Sequence, residues 1–329
     1  MALGLRGKVA IAAASGGLGK ACAVGLALVL FLSAVGLAAQ AGPGRWVTKA
    51  PMPTPRTEVA AAALGGKIYV IGGFAAGGDL VEVYDPATDR WESRLPLPEP
   101  LHHTTATAVN GRLYVIGGYS AGWSPLSMVY EYDPASDRWR KRSPMPTARG
   151  ALGAAEIDGK IYAVGGVARD GRANSGANEV YDPASDRWAS RAPLPTPRDH
   201  LAVVALGKRL HAIGGRVGGS YARNLSDTEV YDPAADRWER RRPMSTARSG
   251  IAGVALGDRL FVFGGEAPAG TFSQAEAYDP AADRWAALAP MPTARHGLGA
   301  AAVGGVIYVI GGGPRPGGSF SAVNEALTP

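Results

Sequence analysis

Tryptophan returns at positions 46, 91, 139, 188, 238 and 285, and a diglycine that ends an apolar run begins at 72, 117, 165, 214, 264 and 311. The tryptophan intervals are 45, 48, 49, 50 and 47 residues, so one unit of about 48 residues is written six times. Tyr-Asp-Pro marks the same unit at 84, 132, 181, 231 and 278. A period of this length with this punctuation is the signature of a propeller array.

Each unit reads as four short strands. The small-residue run Val59–Leu64 suits an innermost strand, where neighbouring blades crowd the axis, and Ile68–Ile71 is apolar on both faces, as a strand between blades must be. The diglycine then supplies positive φ and close backbone approach. Val81–Tyr84 opens a third strand, Asp85–Arg90 makes a hairpin turn, and Trp91 starts the outer strand, its ring filling space between blades. The two ends of the array complement each other. Six diglycines meet only five complete Tyr-Asp-Pro…Trp units, because the sixth stops at Asn324–Pro329, while Arg45-Trp46 stands unpaired at the front. The expected fold is all-β, a six-bladed propeller over residues 45–329 whose last blade is completed by the N-terminal strand, removing two open edges.

Together, the diglycine, Glu-x-Tyr-Asp-Pro and spaced tryptophan resemble the kelch family across residues 45–329. The departures are Leu327-Thr328 for Tyr-Asp in the sixth unit, Tyr130 for Glu in the second, and Leu101 for Arg in the Pro-x-Arg series. Some members of that family resemble galactose oxidase, whose copper radical needs a cysteine cross-linked to tyrosine. The one cysteine here, Cys22, precedes the array, so the resemblance does not extend to that chemistry.

Composition narrows the functional classes. Glycine and proline supply 71 of 329 residues, yet 46% of the chain is hydrophobic, which fits a folded protein crowded with turns rather than a disordered one. A lone cysteine excludes an intramolecular disulfide framework and any cysteine-clustered metal site. The net charge of +6 divides into +4 over residues 1–45 and +2 over the rest (30 basic against 28 acidic), too dilute for a phosphate-binding face, so no nucleic acid is expected.

Residues 1–41 read as a secretory signal peptide. Basic residues precede the apolar run Val24–Leu37, and Ala39-Gln40-Ala41 offers a cleavage site. Uncut, the uncharged stretch 21–44 would serve as a membrane anchor. Both readings export the propeller, to the periplasm or the exterior. Within this leader, Gly7–Lys20 resembles the strand, glycine turn and helix start of a short-chain dehydrogenase. Ala12-Ala13 replaces the Thr-Gly of that family, no acid precedes Glu58 to hold a ribose, and no Tyr-x-x-x-Lys occurs. NAD(P) binding is therefore not expected.

Residues present in every blade are expected to be structural, and Glu82, Glu179, Glu229, Glu276 and Glu325 share one such register. Pro-x-Arg places Arg56, Arg149, Arg198, Arg248 and Arg295 at the starts of inner strands, where a ring of guanidiniums at the channel mouth would attract anions. In some kelch adaptors, the resemblance implies, arginines here grip an acidic peptide. His102, His103, His200 and His296 follow this position by one or two residues, in register with Glu58 and Asp199. Such a set suits a polar ligand mouth, a solvated rim, proton transfer or a metal. Trp123 and Tyr221, with Phe272 and Phe320, lie on the variable loops that would rim the same face. The expectation is a monomeric binding module, without metal or cofactor, for an acidic peptide, a protein loop or an anionic glycan. The alternative is a periplasmic sugar-modifying enzyme, by analogy with kelch proteins that interconvert sialic-acid anomers, with Glu58, Asp199 or a mouth histidine as acid/base beside Arg198.

Overall fold

A computed structural model describes residues 44–74, 78–168 and 173–329; the expectations for the leader fall outside them. No helix long and apolar enough to cross a membrane occurs among the described residues. Six four-stranded antiparallel sheets follow one another along the chain. The first is built from Ala60–Leu64, Lys67–Ile71, Val81–Asp85 and Arg90–Ser93, running from the axis outwards. Its second strand is enclosed between neighbouring blades, with Ile68, Val70 and Ile71 fully buried, so it has no polar side to alternate with. The inner strands crowd the axis. At Gly299 a methyl group would stand 2.5 Å from the Cβ of Ala61 in the next blade.

The recurrent motif is a device for joining blades. Asp85 Oδ1 accepts from the Ala87 amide to set the turn, and Asp89, at φ +53°, accepts from the Tyr84 hydroxyl at 2.6 Å. The same Asp89 oxygen accepts from the Ala50 amide on the segment entering this blade, while Trp91 Nε1 donates to the Ala50 carbonyl. Blades two to five repeat this, through Tyr132–Asp137, Tyr181–Asp186, Tyr231–Asp236 and Tyr278–Asp283.

Diglycine cements the blades closer to the axis. The first glycine is left-handed, as at Gly117 (φ +59°), where a Cβ would lie 2.6 Å from the Arg149 carbonyl of the next blade. The second donates its amide to that same carbonyl position. The bonds Gly73→Leu101, Gly118→Arg149, Gly166→Arg198, Gly215→Arg248, Gly265→Arg295 and Gly312→Arg56 run once around the ring. Glycine is required here because any larger residue would force the two backbones apart.

The last blade closes as its sequence requires. Arg45–Thr48 pairs antiparallel with Asn324–Thr328, with Arg45 opposite Thr328. Trp46 Nε1 donates to the Ala289 carbonyl on the segment entering this blade, and its ring meets Phe263 of the preceding blade edge-on at 5.8 Å.

The arginine ring expected at the mouth requires correction. Arg56, Arg149, Arg198, Arg248 and Arg295 are fully buried inside the blades, each bonded to the glutamate of its own third strand: Glu82, Glu179, Glu229, Glu276 and Glu325. Arg149 is the best satisfied. It reaches Glu179 at 2.8 Å and also donates to the carbonyls of Gly165, Ala177 and Thr147. A buried guanidinium needs such a set of acceptors, and the diglycine turn presents carbonyls that would otherwise be orphaned. Blade two replaces both partners at once, by Leu101 and Tyr130, and Tyr130 donates its hydroxyl to Glu99 instead.

Candidate binding site at the channel mouth

Two residues past the arginine position every blade places a left-handed residue: Glu58, His103, Ala151, His200, Gly250 and Gly297, with φ between +51° and +65°. Each donates its amide to the carbonyl of its predecessor, and Glu58 closes the circle on Gly297. This second ring of backbone hydrogen bonds girdles the axis at the mouth. Four of its six members carry side chains at a φ that costs about 1 kcal/mol or more, strain of a kind that gathers at binding sites.

Above the ring lies a cavity of about 390 Å³. Glu58, His103, His200 and His296 line it together with Phe74, Trp123, Arg216, Tyr221 and Glu266. Of the residues singled out in the sequence, Glu58, His103, His200, His296, Trp123 and Tyr221 line this cup. Phe272 and Phe320 do not line it. His102 and Asp199 stand behind the lining as supports. His102 Nε2 donates to the Ser120 carbonyl at 3.1 Å, so its Nδ1 accepts from His103 Nδ1 at 2.6 Å. Asp199 accepts from His200 Nδ1 at 2.5 Å and from Asn174. His296 turns both ring nitrogens to carbonyl oxygens, of Gly313 and Gly317, in the blade-six loop.

Arg216 and Glu266 were missed by sequence reasoning. Both follow a diglycine directly, in a register that reads Phe74, Tyr119, Val167, Arg216, Glu266 and Gly313, and each of these forms a bridge with the residue after the arginine position. Variation at a fixed register beside an invariant pair was the available signal. Arg216 binds Asp199 at 3.0 Å, Glu266 at 2.8 Å and His200 Nε2 at 3.0 Å, and its guanidinium lies 5.7 Å from the Tyr221 ring centre.

The electrostatics agree on one state near neutral pH. Burial opposes ionisation of Glu58, but His103, His200, His296 and Arg216 outweigh it and hold the carboxyl at about 2. Burial pushes His103 down to about 3 although Glu58 pulls the other way. The pair is therefore carboxylate beside neutral imidazole, and the His102 contact fixes the imidazole proton on Nδ1. Burial opposes ionisation of Asp199 too, but its hydrogen bond with His200 and the charges of His200 and Arg216 outweigh it and hold the carboxyl below the usual carboxylate range.

These shifts predict an acid response. His103, and His211 in the core at about 4, stay neutral when folded but titrate near 6.5 when unfolded. The unfolded chain then binds more protons as pH falls from 6.5, so each histidine removes about 1.4 kcal/mol of stability per pH unit down to its folded value. Thermal melts should show Tm dropping between pH 7 and 5, above the range where carboxylates titrate. A flat Tm across that interval would contradict the assignment.

A family model described as KLHDC2/KLHL20/DRC7 Kelch-repeats domain matches residues 81–265, and the Kelch motif model matches 55–94 and 247–292. The solved structure described as "Structure of YjhT" superposes with a TM-score of 0.73 at 18% identity, covering 83% of this chain and 95% of that one. At that identity the likeness speaks for the fold alone. No curated protein matches the chain.

Proposed function

This chain belongs to the kelch-repeat family, and from that membership we propose that it is a binding module whose ligand is a carbohydrate seated in the mouth cup. The observation that carries the reading is the cup itself. It is concave, bordered below by the backbone ring around the axis, and about 390 Å³ in volume, within the roughly 300–1,000 Å³ usual for small-molecule sites. Phe74, Trp123 and Tyr221 offer flat apolar surfaces, with carboxylate, imidazole and guanidinium groups between them, the pairing of stacking faces and hydrogen-bonding groups that a sugar ring uses.

The charge balance argues against an acidic ligand. That expectation rested on five guanidiniums that are neutralised inside the blades. At the mouth Arg216 is already shared between Asp199 and Glu266, and Glu58 adds a further carboxylate. A neutral or amino sugar suits such a site better than an anionic glycan or acidic peptide.

Trp123 is the residue to test. It is 53% exposed, held at φ +59°, and packed on Phe74, His102, His103 and Tyr119, so its substitution should leave the fold intact. Titration of a panel of neutral, amino and sialylated sugars and an acidic peptide, followed by NMR, should show saturable binding of the neutral or amino sugars. Trp123→Ala should weaken it about tenfold, the equivalent of about 1.4 kcal/mol. The same spectra read anomer exchange; rates equal with and without protein would restrict the cup to binding. Tighter binding of the acidic peptide than of any neutral sugar would reject the carbohydrate reading.

A further inference from the structure

We propose that Glu58, His103 and His200 form a tetrahedral site for a divalent d-block cation of the zinc class, its fourth position open to the cup. One carboxylate oxygen of Glu58 and one imidazole nitrogen of each histidine lie within 4.8 Å of one another. The inference does not depend on the ligand of the cup being a sugar.

The tautomers carry the argument. Because the Ser120 carbonyl can only accept, His102 must donate from Nε2, and His103 must then donate from Nδ1, leaving His103 Nε2 as a bare lone pair. That lone pair stands 3.5 Å from Glu58 Oε2. Two acceptors facing each other need a cation between them. The gap is too long for a direct hydrogen bond, and a water donating to both over roughly 2.8 Å would hold them about 4.4 Å apart. Metal bonds of about 2.0–2.1 Å to nitrogen and oxygen would subtend that gap at about 117°, near the tetrahedral angle.

His200 has the same preparation. Its Nδ1 donates to Asp199, a carboxylate–histidine pair of the kind that orients metal-bound imidazoles, and its Nε2 is therefore an acceptor. Arg216 now donates to that Nε2 at 3.0 Å and would give up this one contact, keeping Asp199 and Glu266. His296 is not a ligand, since both its nitrogens face carbonyls. Two nitrogen donors and one carboxylate favour zinc-class ions over calcium or magnesium, which prefer all-oxygen shells.

Cobalt(II) reports the geometry directly, because tetrahedral coordination gives intense visible bands and the aqueous octahedral ion does not. Full-length protein stripped with a chelator and titrated with cobalt(II) should develop such bands at one equivalent, and zinc should displace them. His103→Gln and His200→Gln should each abolish the bands while far-UV circular dichroism stays that of the parent. Asp199→Asn, which keeps all three ligands, should weaken zinc binding about 10- to 100-fold. The parent protein decides even if a variant does not fold: an aqueous-type spectrum at one equivalent overturns the site. Bands that persist in a folded His103→Gln protein overturn it equally. Loss of sugar binding in Trp123→Ala with the cobalt bands intact would separate this inference from the function proposed above.

Discussion

Arg149→Ala is expected to cost about 3–5 kcal/mol of folding stability, because it leaves Glu179 charged and buried without its partner. The loss should show as a lower midpoint in urea with an unchanged slope. Three carbonyls of the diglycine region lose a donor in the same step. Blade two supplies the control. It carries Leu101 and Tyr130 where the other blades carry arginine and glutamate, and Glu99 accepts the Tyr130 hydroxyl. Transplanting that set into blade three as Thr147→Glu, Arg149→Leu and Glu179→Tyr should restore stability to within about 1 kcal/mol of the parent, since replacing a whole buried ion pair is often neutral or stabilising. If the triple variant is no better than Arg149→Ala, the blade-two set depends on surroundings that blade three lacks. A single-variant loss below about 1 kcal/mol would mean the pair is hydrated rather than sealed.

That same pair marks where the sequence was legible and where it was not. The diglycines and tryptophans declare their roles because those roles are local and steric: a left-handed turn against a neighbouring backbone admits only glycine, and a ring spaced every 48 residues must fill equivalent gaps. Closure of the last blade was legible for a similar reason, since a missing strand at one end matched a spare strand at the other. The arginines misled because a register names a position along the chain and not the direction of a long side chain. A side chain of four carbons and three nitrogens allows Arg56 to lie back into its own blade as easily as to reach the axis. The paired departures of Leu101 and Tyr130 held the answer, as they imply that the two positions touch. Glu58 and the histidines were legible as breaks in the repeat. Arg216 and Glu266 were not, because their neighbours in that register, Phe74, Tyr119, Val167 and Gly313, share no chemistry that would flag the position.

Shortening the propeller by one strand should have the other large effect. A chain of residues 49–329 lacks Arg45–Thr48, so it exposes the edge of Asn324–Thr328 and removes Trp46 from Phe263 and from the Ala289 carbonyl. Trp46 is half-buried, so its loss costs less than the about 3–5 kcal/mol of a fully buried tryptophan, but the broken strand pairing adds to it and the open edge adds an aggregation route. Relative to residues 44–329, the shortened chain should melt about 10 °C lower or more and associate on heating. Because Arg45 pairs with Thr328, the missing strand can be returned from the other end. A chain of residues 49–328, an Asn-Gly turn and residues 45–48 makes an ordinary two-residue hairpin. Recovery of the parent Tm in this rearranged chain would show that the strand acts by closing the ring and not by its place at the N-terminus. Equal melting of the chains starting at 44 and 49 would mean that closure contributes little, and that the blades hold their circle through the diglycine and mouth rings alone.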